Sequence, residues 1–159
     1  MKSFAILVCL CTSLFAQDAL KDQLEAKSAG SAKVVPAEVR AEFAKGIAAV
    51  GKSGIEKSAK QVDEKAPDFT LKNPIGQEIT LSEALKKGPV VLTWYRGGWC
   101  PYCNIALAAY QDKLTEIRAQ GASFMALTPE LPGKAMTTTE MHKLDFSVLT
   151  DLNHEVAKK

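Results

Sequence analysis

Histidine is nearly missing from this chain. His142 and His154 are the only two, and they lie far from the cysteines at no spacing that suits metal ligation. With one Cys-x-x-Cys pair and no second pair to complete a four-ligand set, a zinc site is not expected, and neither is any other metal or cofactor. An excess of one charge sign is missing too. The net charge is +2 at pH 7 with Lys and Arg dispersed, so neither a nucleic-acid surface nor a charged membrane-binding surface is expected. The apolar run at the N-terminus, Phe4 to Phe15, is about a dozen residues, short of the roughly 20 that span a bilayer as a helix.

That run follows a short basic start, Met1-Lys2-Ser3, and ends beside the small residue Ala16. These are the parts of a secretory signal peptide, so residues 1–16 are expected to be removed and the protein exported, periplasmic or secreted, with no stable membrane insertion afterwards. An uncleaved anchor or a buried N-terminal helix fits the flanks less well. Val8 and Leu10, which precede Cys9 and Cys11, argue against a lipid anchor on either cysteine. Loss of the leader discards both, leaving Cys100 and Cys103 as the only thiols of the mature chain. Such a chain has no disulfide framework, so its stability must come from its core.

What is present is ordinary globular material, 24% charged and 47% hydrophobic, enough for one domain with a core. Residues 17–65 are rich in Ala, Lys and Glu and read as a helical extension. A first short helix carries Leu20 and Leu24 and ends near Gly30. A second, started by Pro36, repeats Val39, Phe43, Ile47 and Val50 at helical spacing, an apolar face suited to docking on the domain or on a partner. From Ala66-Pro67 the composition changes. Phe69-Thr70-Leu71 and Ile79-Thr80-Leu81 flank an Asn-Pro and Gly turn and predict a β-hairpin; Ser82 is a candidate cap for a brief helix.

Val90 to Tyr95 is β-branched and aromatic without charge, the pattern of a central strand covered on both faces. A helix from Pro101 to about Gln120 follows, with Leu107, Tyr110, Leu114 and Ile117 on one stripe, and then a second buried strand, Ser123 to Thr128. Strand, helix, strand at this length is a βαβ unit with parallel strands. A helix over Lys134 to Lys143, a strand over Phe146 to Leu149 and a last helix capped by Asp151 complete the expected elements. The stop at Lys159 lacks a closing strand, and the sequence reads as a C-terminally incomplete fragment.

The chemistry concentrates in Trp94-Tyr95-Arg96-Gly97-Gly98-Trp99-Cys100-Pro101-Tyr102-Cys103-Asn104, where the strand runs into the helix. A thiol at a helix start faces the positive end of the dipole and unpaired N–H groups, which favour thiolate. Gly97 and Gly98 permit a sharp turn, Pro101 suits the first helical position, and Arg96 adds positive charge. A structural disulfide would close only a tiny loop, so a redox pair is the better reading of Cys100 and Cys103. Trp99 is expected to shield the pair from solvent, Tyr95 and Trp94 to pack, and Thr137-Thr138-Thr139 is assigned no function. Cys100, as the N-cap, is expected to be the more exposed sulfur and Cys103 the more shielded.

The run Ala66-Pro67-Asp68-Phe69-Thr70-Leu71, Gly76, the strand to Tyr95, Arg96-Gly97-Gly98-Trp99-Cys100-Pro101-Tyr102-Cys103 and Leu149-Thr150-Asp151 resembles the peroxiredoxin-like branch of the alkyl hydroperoxide reductase and thiol-specific antioxidant family. The resemblance covers residues 66–159 and implies an α/β thioredoxin-like fold with an N-terminal helical extension and β-hairpin. It implies an antioxidant thiol-dependent peroxidase acting on hydrogen peroxide or organic hydroperoxides, re-reduced by an external dithiol such as a thioredoxin-like protein, with a homodimer also compatible. The family's Pro-x-x-x-Thr-x-x-Cys pattern places Cys103 at the peroxidatic position, with Cys100 in place of Thr and Arg96 in place of Pro. Read as a thioredoxin-type motif, the same residues make Cys100 the attacking thiol and the protein a disulfide oxidoreductase. A redox-inactive binding module on the same fold is the third reading. The attacking sulfur stays open.

Overall fold

The computed structural model describes residues 11–159, with side chains described from residue 19 onward. The expected leader therefore lies mostly outside the described residues, Cys9 entirely so. The chain divides into two compact units, the first running to Ala66 and the second Pro67–Lys159.

The first unit is helical: α1 (Cys11–Val34), α2 (Ala37–Lys52) and α3 (Ile55–Ser58). The expected stop at Gly30 does not occur; α1 continues through it to Val34. An interior glycine costs only about 1 kcal/mol relative to alanine, which the strong helix formers around it offset. The helix ends instead where Pro36 restricts the residue before it. Pro36 is extended, at φ −54° and ψ 149°, and forms the N-cap of α2. Glu38 in the first turn and Lys52 in the last complement the helix dipole. Val39, Phe43, Ile47 and Val50 of α2 are all exposed.

The second unit contains β1 (Thr70–Lys72), β2 (Glu78–Thr80), α4 (Leu81–Leu85), β3 (Val90–Trp94), α5 (Pro101–Ala119), β4 (Ser123–Thr128), α6 (Pro132–Met141), β5 (Ser147–Thr150) and a 3₁₀ turn, Leu152–His154. The five strands form one sheet in the order β2-β1-β5-β4-β3. β1 and β2 make the expected antiparallel hairpin, with Leu71 opposite Ile79, and the Asn73 side chain accepts the Ile75 and Gln77 amides in the turn. β3, β4 and β5 run parallel, as the βαβ pattern requires.

Three expectations need correction. β3 is an edge strand among the described residues, and Val91 and Trp94 remain 42% and 43% exposed. Its apolar run matches that of β4, and composition cannot say which of two such strands is flanked on both sides; β4, buried from Phe124 to Thr128, holds the centre. Ser82 does not cap α4. Its backbone N–H donates to Asp68 Oδ1 at 2.9 Å, so the cap comes from a side chain two residues before β1. The last helix is replaced by the 3₁₀ turn, in which Asn153 and His154 take left-handed φ of 59° and 57°. There Asp151 accepts the Val156 and Ala157 amides at 2.9 and 3.1 Å, bonds that close a turn rather than start a helix.

The core lies on both faces of the sheet, and β4 shows the period of two directly. Phe124 and Ala126 join Tyr95, Leu107, Leu114, Phe146 and Val148 in one cluster; Met125 and Leu127 join Phe69, Leu81, Leu149 and Val156 in the other. The expected stripe of α5 faces the first cluster, with the Tyr110 ring tilted against Phe124, centroids 4.9 Å apart. β3 and α5 thus hold the segment between them, residues 95–100, against a rigid sheet. This mixed α/β arrangement is a thioredoxin-like fold.

Candidate active site

The β3–α5 connection starts from the sheet: the Tyr95 N–H donates to Leu127 O at 2.9 Å, so the strand's hydrogen bonding continues to the residue before Arg96. The chain then turns tightly. The Cys100 N–H closes onto Gly97 O at 3.0 Å, Asn104 Nδ2 donates to Gly98 O at 2.8 Å, and the Gly98 N–H donates to Glu130 Oε2 at 2.8 Å. Both positions favour glycine. Gly97 has φ 144°, and a Cβ there would sit 2.7 Å from the Glu130 carboxyl carbon; one on Gly98 would meet Thr138 Oγ1 at 2.2 Å.

Cys100, at φ −88° and ψ 108°, is the N-cap of α5, and Pro101 takes the first helical position as expected. Three donors converge on Cys100 Sγ. They are the Cys103 N–H at 3.2 Å, the Cys103 thiol at 2.6 Å and Arg96 Nη2 at 3.0 Å. Burial opposes ionisation of Cys100, but these hydrogen bonds and the guanidinium charge outweigh it and lower the thiol below its ordinary range. Cys103 moves the other way, raised by burial and by donating its proton to Cys100, with bonds from Arg96 only partly compensating. One proton held between two sulfurs favours a single thiolate, on Cys100, over ionisation of both.

The exposures reverse the sequence-based expectation: Cys100 is 0% exposed and Cys103 is half-buried. An N-cap is exposed only when nothing covers it, and here Arg96, itself exposed, reaches back onto the sulfur. Trp99 is itself 66% exposed, with the Arg96 guanidinium 5.3 Å above its ring, a cation–π contact that holds Arg96 in place.

Sequence reasoning missed Glu130 and gave no role to Asn104 or Thr138, and all three touch the glycine turn. Glu130 follows the C-terminal end of β4, where parallel sheets gather functional groups, so the βαβ reading held a clue to it. Thr138, from the run assigned no function, lies on the face of α6 that meets Gly98. Behind the turn the Tyr95 hydroxyl is buried near Thr128, Glu130 and Thr138, and burial raises its pKa to about 12. Among the described residues no group of His, Cys, Asp and Glu is arranged to hold a metal ion, and no helix is long and apolar enough to cross a membrane.

Residues 62–159 match the AhpC/TSA family. Peroxiredoxin Q, chloroplastic, of Populus jackii is 27% identical over 58% of this chain and 43% of its own length; Peroxiredoxin Bcp of Escherichia coli is 23% identical over 59% of this chain and 60% of its own. The crystal structure of peroxidoxin BcpB from Mycobacterium tuberculosis superposes with a TM-score of 0.58 at 27% identity, covering 60% of this chain and 62% of that one. The chain spans less than two thirds of the length of the curated relatives it matches. A tight glycine turn, a thiol pair at a helix start and this match over residues 62–159 agree, and the chain belongs to the AhpC/TSA family.

Proposed function

We propose that the protein is a thiol-dependent peroxidase that reduces hydrogen peroxide or organic hydroperoxides through Cys100 and Cys103. The observation that carries this reading is the set of three donors on Cys100 Sγ, which makes a nucleophile of one sulfur while the other keeps its proton. The Cys100 thiolate attacks the terminal hydroxyl oxygen of the peroxide, the O–O bond breaks, and Cys100 becomes a sulfenic acid while alkoxide, or hydroxide from hydrogen peroxide, departs. The departing anion takes the Cys103 proton and leaves as alcohol or water. Cys103 thiolate then attacks the Cys100 sulfur, displacing hydroxide, which solvent protonates to water, and the Cys100–Cys103 disulfide forms. At 2.6 Å the two sulfurs need little movement for that bond. An external dithiol, such as a thioredoxin-like protein, restores the pair by thiol–disulfide exchange. The leader-like N-terminus supports export, and a homodimer is compatible with the exposed face of α2.

A second reading has an observation of its own. The family pattern places the peroxidatic position at Cys103, whereas the lowered thiol is Cys100, the sulfur that attacks in a thioredoxin-type disulfide oxidoreductase. Peroxide consumption with a dithiol donor, measured beside insulin reduction, separates the two. Rapid disulfide reduction without peroxide consumption would refute the peroxidase. Unchanged activities after replacing both cysteines by serine would refute both and favour a binding module.

A further inference from the structure

We infer that Glu130 is a positioning residue of the thiol site, its carboxylate fixing the Gly97–Gly98 turn that aims Arg96 and the Cys100 amide at their partners. Every backbone bond of this turn has a local source except one. Gly97 O is taken by Cys100 N and Gly98 O by Asn104, both from the start of α5. The Gly98 N–H alone is bound from a distant element, by Glu130 Oε2 at 2.8 Å, and by a carboxylate. A charged acceptor makes this the strongest of the three bonds.

Steric contacts point the same way. A Cβ on Gly97 would meet Trp99 Nε1 and then the Glu130 carboxyl at 2.7 Å, and one on Gly98 would meet Thr138 Oγ1, so Glu130 and Thr138 both pack against the bare backbone of the turn. Glu130 is itself steadied, its N–H donating to Thr128 Oγ1 at 3.3 Å. Loss of the carboxylate frees the Gly98 amide and lets residues 96–99 shift, and a shift of Arg96 Nη2 from 3.0 Å weakens the bond that holds Cys100 as thiolate. Glu130 touches neither sulfur and acts only through the turn.

The inference deepens the thiol reading and rests on it, but its test reads the sulfur without peroxide. Full-length reduced chain carrying Glu130→Ala, Glu130→Met or Glu130→Gln is alkylated with iodoacetamide across pH, labelling at Cys100 is resolved by mass, and the denaturant midpoint is recorded in parallel. Ala and Met, which remove the acceptor, are expected to slow Cys100 labelling about tenfold at neutral pH and move its profile upward. Gln, which keeps a carbonyl acceptor but no charge, should recover labelling to within about twofold of wild type. Met keeps the side-chain length and serves if Ala fails to fold. An effect of charge alone has the opposite sign: removing an anion favours the thiolate, so all three variants would label faster, and that result overturns the inference. Unchanged labelling in Ala and Met, or an equal loss in Gln and Met, overturns it as well. A chain that consumes no peroxide but shows the expected pattern refutes the peroxidase and leaves the role of Glu130 intact.

Discussion

Arg96 Nη2 lies 3.0 Å from Cys100 Sγ, so an exposed cation is anchored to a fully buried sulfur four residues along the chain. The bond stabilises the thiolate while it is in place. Arg96→Ala should therefore raise the Cys100 thiol and slow its alkylation at neutral pH about three- to tenfold, a modest figure because solvent screens the guanidinium. Arg96→Lys should restore only part of the rate, since an ammonium lacks the planar stack on Trp99. An unchanged alkylation profile in Arg96→Ala contradicts the role.

Opposite shifts at the two thiols set a pH profile. Cys100 is lowered from 9.0 and Cys103 is raised from the same value. Labelling of Cys100 should rise with pH at lower pH than for an ordinary thiol, and labelling of Cys103 at higher pH. The depressed value at Cys100 contributes stability that is present above pH 9 and lost as pH falls through the folded value; the raised value at Cys103 contributes stability present below pH 9 and lost as pH rises through its folded value. The thiol contribution to stability of the reduced chain is thus greatest near pH 9. Denaturant titrations under reducing conditions should show that difference against the Cys100→Ser, Cys103→Ser double variant.

Asp151 is 0% exposed and accepts from Trp94 Nε1 at 3.1 Å as well as from the Val156 and Ala157 amides. It links the strand that leads into the site to the chain after β5. Asp151→Ala leaves these donors without their acceptor and should cost about 2–4 kcal/mol, read as a lower denaturant midpoint. Trp94→Phe removes one donor only and should cost about 1 kcal/mol.

Gly98→Ala tests the fit of the glycine turn. Its Cβ would meet Thr138 Oγ1 at 2.2 Å, and Gly98 does not have positive φ, so the obstacle is contact rather than backbone strain. The single variant should lower stability by about 1–3 kcal/mol and slow Cys100 alkylation, while adding Thr138→Ala should recover much of both. No recovery in the double variant would place the defect elsewhere.

Much of this architecture is readable from residues whose neighbours lie close in sequence. The α5 stripe of Leu107, Tyr110, Leu114 and Ile117, the hairpin turn at Asn73 and the N-cap at Cys100 are all local patterns, and all three form. What failed depends on partners distant in the chain. Whether Val90–Trp94 is central or at an edge is decided by strand order, and the cap of α4 comes from Asp68. Glu130 and Thr138 belong to the same class: each is an ordinary surface residue in sequence until β4 and α6 bring it against Gly97 and Gly98.

The central claim is that the attacking sulfur is Cys100. Trapping of sulfenic acid after one equivalent of hydrogen peroxide, compared between Cys103→Ser and Cys100→Ser, tests it most directly. Rapid accumulation of sulfenic acid on Cys100 in Cys103→Ser, with Cys103 in Cys100→Ser reacting far more slowly, is the result expected from the donors around Cys100. Rapid sulfenic acid formation on Cys103 in Cys100→Ser, with Cys100 inert in Cys103→Ser, contradicts it.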